Sequence, residues 1–186
     1  FEKRLANNMW RVVEEGELSA LKWLTYPFCV DKKGGSGRRV VFNFAETANR
    51  YTVPDPFRMS DPETTRNATS GASMSLLDME ESFSQFPLAP ESQLYFATEL
   101  PDGRIVVPTV IVMGPTNSPA AVQRRNEALV FAVNKSGQLT GQSVLPAPHI
   151  DDFVVATKSE APGAVAAHAH DLNVSFRGGR CYSASN

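Results

Sequence analysis

Two apolar segments far apart in the chain each bring aspartate to a strand end, and this constrains the fold more than any other feature. Met74-Ser75-Leu76-Leu77 reads as a short strand ending at Asp78. His149-Ile150-Asp151-Asp152-Phe153-Val154-Val155 reads as a tight β-hairpin with its aspartates at the turn. Aspartate favours turns, so an Asp-Asp pair alone is ordinary. Three carboxylates brought together are different, because they suit Mg²⁺, a hard cation that takes oxygen ligands. Two such ions roughly 3.5–4 Å apart activate a 3′-hydroxyl and stabilise a leaving pyrophosphate. A fold that serves such a site must lay the two segments side by side.

The rest of the chain alternates strands with helices, which argues an α+β architecture. Leu5, Met9, Val12 and Val13 repeat at helical spacing, so residues 3–15 are expected to form an amphipathic helix stopped by Gly16. Phe28–Val30 and Arg39–Phe44 read as strands flanking a glycine-rich, positively charged tip at 31–37. Residues 50–70 hold several prolines among Ser, Thr and Asn and read mostly as loop. Leu94–Thr98 and Ile105–Val112 flank the turn Pro101-Asp102-Gly103, a hairpin signal. Ser118-Pro119 opens a helix with an apolar face of Ala121, Val122, Ala128, Leu129, Ala132 and Val133, closed at Gly137. Beyond Ala161 only a short helix is expected.

Composition sets outer bounds. The 186 residues are 42% hydrophobic, enough for a sizeable core. No run of about 18 apolar residues is present, so no membrane span is expected. Eighteen basic against twenty acidic side chains give a net charge of −2. A protein that grips nucleic acid alone usually carries a basic surplus, since phosphate contacts supply much of the affinity. Cys29 and Cys181 read as two free thiols. His168-Ala169-His170-Asp171 has metal-binding residue types but sits on a polar tail, where such spacing usually means nothing.

The motif order then resembles a known family. Asp78-Met79-Glu80-Glu81-Ser82-Phe83-Ser84-Gln85-Phe86-Pro87-Leu88 resembles the segment of gypsy-type retrotransposon reverse transcriptases with an aspartate, an aromatic five residues on, then Gln, an apolar residue and Pro. Pro101-Asp102-Gly103-Arg104 is similar to the hairpin that follows it there. Met113-Gly114-Pro115-Thr116-Asn117-Ser118-Pro119-Ala120 with Gln123 resembles the next motif, and His149-Ile150-Asp151-Asp152 resembles Tyr-x-Asp-Asp. Upstream, Lys32, Lys33, Gly35 and Arg39, followed by Phe42-Asn43-Phe44, resemble the fingers hairpin. The likeness runs in one order over roughly residues 5–160.

The resemblance implies a palm with an antiparallel sheet and helices on one face, plus a fingers lobe and no thumb. Residues 1–73 would be fingers-like, with the lead-in helix at 3–15. Residues 74–160 would be palm, and 161–186 a truncated tail in place of the thumb connection. It implies that Asp78, Asp151 and Asp152 hold two Mg²⁺ ions. Lys32 and Arg39 would reach the incoming triphosphate. Phe83 would pack under its sugar and exclude a 2′-hydroxyl, and Pro119 and Gln123 would support the template. The sequence departs from the family at His149 for Tyr, Asn43 for Asp, Ala45 for Arg, Met113 for Phe or Gln, and Ser82 for Gly.

Two functions are therefore expected. One is nucleotidyl transfer by an RNA-directed DNA polymerase-type fragment on RNA or RNA/DNA template-primer. The other is a domesticated, inactive fold serving as a structural or RNA-binding subunit of a large ribonucleoprotein such as an organellar ribosome, beside other protein subunits. The compartment is unknown from the sequence; an intracellular one is expected, with an organelle among the choices.

Overall fold

The computed structural model describes residues 1–32, 34–35, 37–69, 73–139, 147–157 and 176–182. Its elements in order are α1 (Glu2–Ala6), β1 (Trp10–Val12), a 3-10 helix (Glu15–Ala20), β2 (Leu24–Thr25), β3 (Pro27–Asp31), β4 (Arg38–Phe42) and a second 3-10 helix (Ala48–Tyr51). Then come α2 (Pro62–Thr69), β5 (Ser73–Met79), a third 3-10 helix (Ser82–Gln85), α3 (Pro90–Gln93), β6 (Ala97–Glu99), β7 (Ile105–Pro108), α4 (Ser118–Leu139), β8 (Ala147–His149), β9 (Asp152–Thr157) and β10 (Phe176–Tyr182). The chain is a mixed α+β protein. Among the described residues no helix is long and apolar enough to cross a membrane.

Two compact units share the chain. One comprises Phe1–Asp55 and Phe83–Ser118, the other Pro56–Ser82 and Pro119–Asn186. The division is not sequential, and the boundary expected at 73–74 falls inside β5.

The first unit holds a mixed sheet in the order β1-β7-β6-β2, with β2 parallel to β6 and the other pairs antiparallel, together with the β3–β4 ribbon. The expected helix over 3–15 stops at Ala6, Asn8 takes a left-handed φ of 55°, and Trp10–Val12 pairs with β7 instead. Packing explains the difference. Trp10 is 2% exposed and stacks on Phe42 at 4.9 Å, with Phe44 stacked beyond it. Burying one large side chain is worth about 1.5–3 kcal/mol, and an aromatic pair adds roughly 0.5–1.5. Helix propensity differs by only a few tenths of a kcal/mol between such residues, so the core wins.

Around this core the chain is laced by side chains. Asn49 donates to the Gly114 carbonyl and accepts from the Thr116 N–H. Asn117 accepts from the Asp55 N–H and donates to the Val53 carbonyl. Asn43 accepts the Ala45 N–H at 3.0 Å, so the amide serves a local turn. Gly114 has φ 119°, and a Cβ there would stand 3.0 Å from the Phe44 ring and 3.1 Å from the Phe42 carbonyl oxygen. Gly114→Ala is therefore expected to cost roughly 2–3 kcal/mol, a fall in Tm of about 5–10 °C, readable by calorimetry. A loss under about 0.5 kcal/mol would contradict this packing.

Arg11 forms a bidentate pair with Glu17 at 2.6 and 2.8 Å and also donates to the Gln93 side chain. The guanidinium and the Glu14 N–H hold the Glu17 carboxyl at about 2, against an ordinary 4.5. A depressed folded pKa adds stability above the unfolded value and loses it as pH falls. The stability difference between wild type and Glu17→Gln should thus be full above about pH 4.5 and shrink toward pH 2, as read from denaturation midpoints.

The second unit holds an antiparallel sheet in the order β10-β5-β9-β8. The tail, expected to give only a short helix, supplies β10 as a neighbour of β5. Residues 50–70, expected as loop, contain α2. Asp61-Pro62-Glu63 is a helix start, with proline in the first turn and an acid against the dipole. α4 runs past Gly137 to Leu139, because one interior glycine costs only about 1 kcal/mol.

Candidate functional site

The sheet of the second unit sets the geometry. In β5, Leu77 and Met79 are buried while Asp78 between them is exposed, as strand alternation requires. In β9, Phe153 is buried and Asp152 is half-buried. Leu77 faces Phe153 across the ladder, and Asp78 faces Asp152. Directly paired residues share a face, so the register that buries one pair presents the two carboxylates together on the other. Asp151 lies one residue away, in the turn, and its carbonyl accepts the Met79 N–H at 2.7 Å. His149 is the partner of Asp152 on β8.

Electrostatics reflect this crowding. Burial first, then the charges of Asp151 and Asp78, hold the Asp152 carboxyl above its ordinary 3.8, while His149 pulls it down. As the side chains stand, no three His, Cys, Asp or Glu groups among the described residues converge as metal ligands. The strand register sets where the three carboxylates start: Asp78 is exposed, and Asp151 and Asp152 are half-buried. The donors, two carboxylates on the inner strands β5 and β9 and a third in the adjoining turn, are of the oxygen type that a hard divalent cation takes.

The turn itself is strained and held. β8 ends at His149 and β9 begins at Asp152, leaving a two-residue loop. Ile150 takes φ 59°, a left-handed conformation unfavourable for a β-branched residue. Its peptide groups are gripped from α4. Gln123 accepts the Ile150 N–H at 3.0 Å and donates to the Pro148 carbonyl at 3.3 Å. Asn126 donates to the Ile150 carbonyl. Both amides are 0% exposed. Strain of this kind persists only where surroundings over-determine it.

Asn126 was not singled out from sequence, although a signal existed. Val122, Asn126 and Val133 lie on one buried helix stripe, and Ala128, expected on that face, is exposed. A polar residue inside an apolar stripe marks a buried hydrogen-bonding task. Gln123, expected near the template, holds the aspartate turn and also donates to the Glu127 side chain at 3.2 Å. Pro119 is half-buried at the start of α4. In the first unit, Lys32 and Arg39 are exposed on the β3–β4 ribbon and Phe83 is buried. Cys29 is an exposed free thiol. Lys33 and His168-Ala169-His170-Asp171 lie outside the described residues.

No family model matches the sequence, and no curated protein matches it.

Proposed function

We propose that the chain is the fingers-and-palm part of a reverse transcriptase-type nucleotidyltransferase, with its metal site at Asp78, Asp151 and Asp152. One observation carries the proposal: Asp78 pairs in register with Asp152, beside a clamped two-residue turn that bears Asp151. The motif order from Lys32 to Asp152, with its likeness to gypsy-type enzymes, supports it. In such a reaction a primer 3′-oxygen attacks the α-phosphorus of a nucleoside triphosphate and pyrophosphate leaves. Two Mg²⁺ ions, when bound, would favour the ionised hydroxyl and offset charge on the leaving group. The chain's own part is positional. The β5–β9 register holds two carboxylates side by side, while Gln123 and Asn126 fix the peptide that aims the third. No side-chain nucleophile is required.

The test is extension of a labelled primer on RNA and on DNA templates with Mg²⁺, run beside Asp151→Asn. Extension that disappears in the variant supports the proposal. No extension by the wild type, or equal extension by both, overturns it.

A second reading is favoured by the net charge of −2 and by His149, Asn43, Ala45 and Met113 at family motif positions. It keeps the fold as a structural or RNA-binding subunit of a ribonucleoprotein. Co-purification in a large RNA-containing particle, with no metal-dependent extension, would select it.

A further inference from the structure

Three rings from three distant parts of the first unit meet near its surface. Trp23 stacks on Tyr51 with centroids 5.1 Å apart and planes 13° apart. Tyr95 leans on the same indole at 5.5 Å and 48°. Tyr51 is 65% exposed and Tyr95 40% exposed, while Trp23 is partly buried and packs against the Trp10 and Phe42 core. The cluster is braced by the backbone and side chains around it. The Lys22 N–H donates to the Leu94 carbonyl, tying the Trp23 segment to the Tyr95 segment. Thr52 donates to the Ala48 carbonyl and Asn49 to the Gly114 carbonyl, fixing the 3-10 helix that ends at Tyr51.

Rings of this size left open to water, in mutual contact, are costly unless something covers them. The flanking charge says what. Lys22 and Arg50 immediately precede Trp23 and Tyr51, and both are exposed. Arg50 pairs with Glu46 at 3.8 Å with both side chains largely in solvent, an ion pair weak enough for a phosphate to compete with. Flat π faces beside cations form the platform on which unpaired bases stack while their phosphates are neutralised. A proline-rich peptide also docks on aromatic grooves, but it has no use for two flanking cations.

We infer that Trp23, Tyr51 and Tyr95, with Lys22 and Arg50, form a stacking platform for unpaired single-stranded nucleic acid. The inference uses only the first unit. It stands whether or not the aspartates of the second unit support catalysis.

The experiment is a fluorescence titration with oligo(dT) and oligo(U) in EDTA, which removes any contribution from metal-dependent binding. Trp10 is buried, so quenching reports chiefly on Trp23. Both oligonucleotides should quench, and Tyr51→Ala should weaken binding by about 5- to 100-fold while its Tm stays within about 6 °C of wild type, the cost of one stacked pair. Tyr51→Phe keeps the π face and should bind like wild type. Replacing Lys22 and Arg50 by Gln should flatten the dependence of affinity on salt by about 0.7 per charge removed. Any of these outcomes would overturn the platform: no quenching by either oligonucleotide, equal affinity in Tyr51→Ala, or duplex bound as tightly as single strand. Binding of a proline-rich peptide in place of oligonucleotides would do the same and assign the surface to protein.

Discussion

Asp151→Asn is expected to abolish Mg²⁺-dependent primer extension, by more than about 100-fold, while leaving the protein at least as stable as the wild type. Loss of even an outer partner at a metal site costs roughly 10–100-fold, and a carboxylate ligand replaced by a neutral amide should cost more. The stability half follows from the same crowding. Asp152 is held above its ordinary 3.8 by burial and by the charges of Asp151 and Asp78. A folded pKa raised in this way means the charged form is disfavoured in the native state. The native state therefore gains relative stability below about pH 3.8 and loses it as pH rises through the folded value. Asp151→Asn removes one of the two repelling charges and should relieve part of that loss at pH 7, by no more than about 1 kcal/mol. Paired measurements decide: extension assays, and denaturation midpoints at pH 7 and pH 3. A variant that loses both activity and stability would mean the aspartate is structural, and the metal proposal would fall.

Features set by local chemistry were legible in the sequence. The strand into Asp78, the hairpin at 149–155 and the Ser118-Pro119 helix start each follow from residues next to one another, and the structure has all three. The Asp78–Asp152 register could be anticipated only by supposing that the two segments meet. What stayed hidden was non-local or ran against a local signal. Leu5, Met9 and Val12 mimic a helix because a short helix and a strand happen to share apolar spacing, and the pull of Trp10 toward Phe42 decides the outcome. The β10–β5 pairing joins segments nearly a hundred residues apart, with nothing local to announce it. Trp23, Tyr51 and Tyr95 meet for the same reason, through tertiary structure alone. Gln123 was noticed for its place in a motif, but its partner Pro148 and the role of Asn126 depend on where the hairpin lands.

That clamp should produce the largest stability effect in the second unit. Gln123→Leu keeps the volume but strands the Ile150 N–H and takes one of two donors from the buried Pro148 carbonyl, which keeps the Ser60 hydroxyl at 3.5 Å. An unsatisfied backbone group costs roughly 1–3 kcal/mol, so a loss of about 1–3 kcal/mol is expected, or about 2–12 °C in Tm. Asn126→Leu should cost a similar amount, about 1–3 kcal/mol, because one carbonyl is released. The two hold the peptide groups on either side of Ile150, so their effects should couple by about 0.5–3 kcal/mol in a double-mutant cycle, whereas independent sites would add. Ile150→Gly supplies the control. Glycine accepts φ 59° without the roughly 1–2 kcal/mol that a left-handed residue costs. In the Gln123→Leu background it should recover part of the loss, if the amides serve to hold a strained turn. Additive effects and no recovery would show that Gln123 and Asn126 merely fill space. Coupling with recovery would show instead that α4 is the element that aims Asp151 and Asp152.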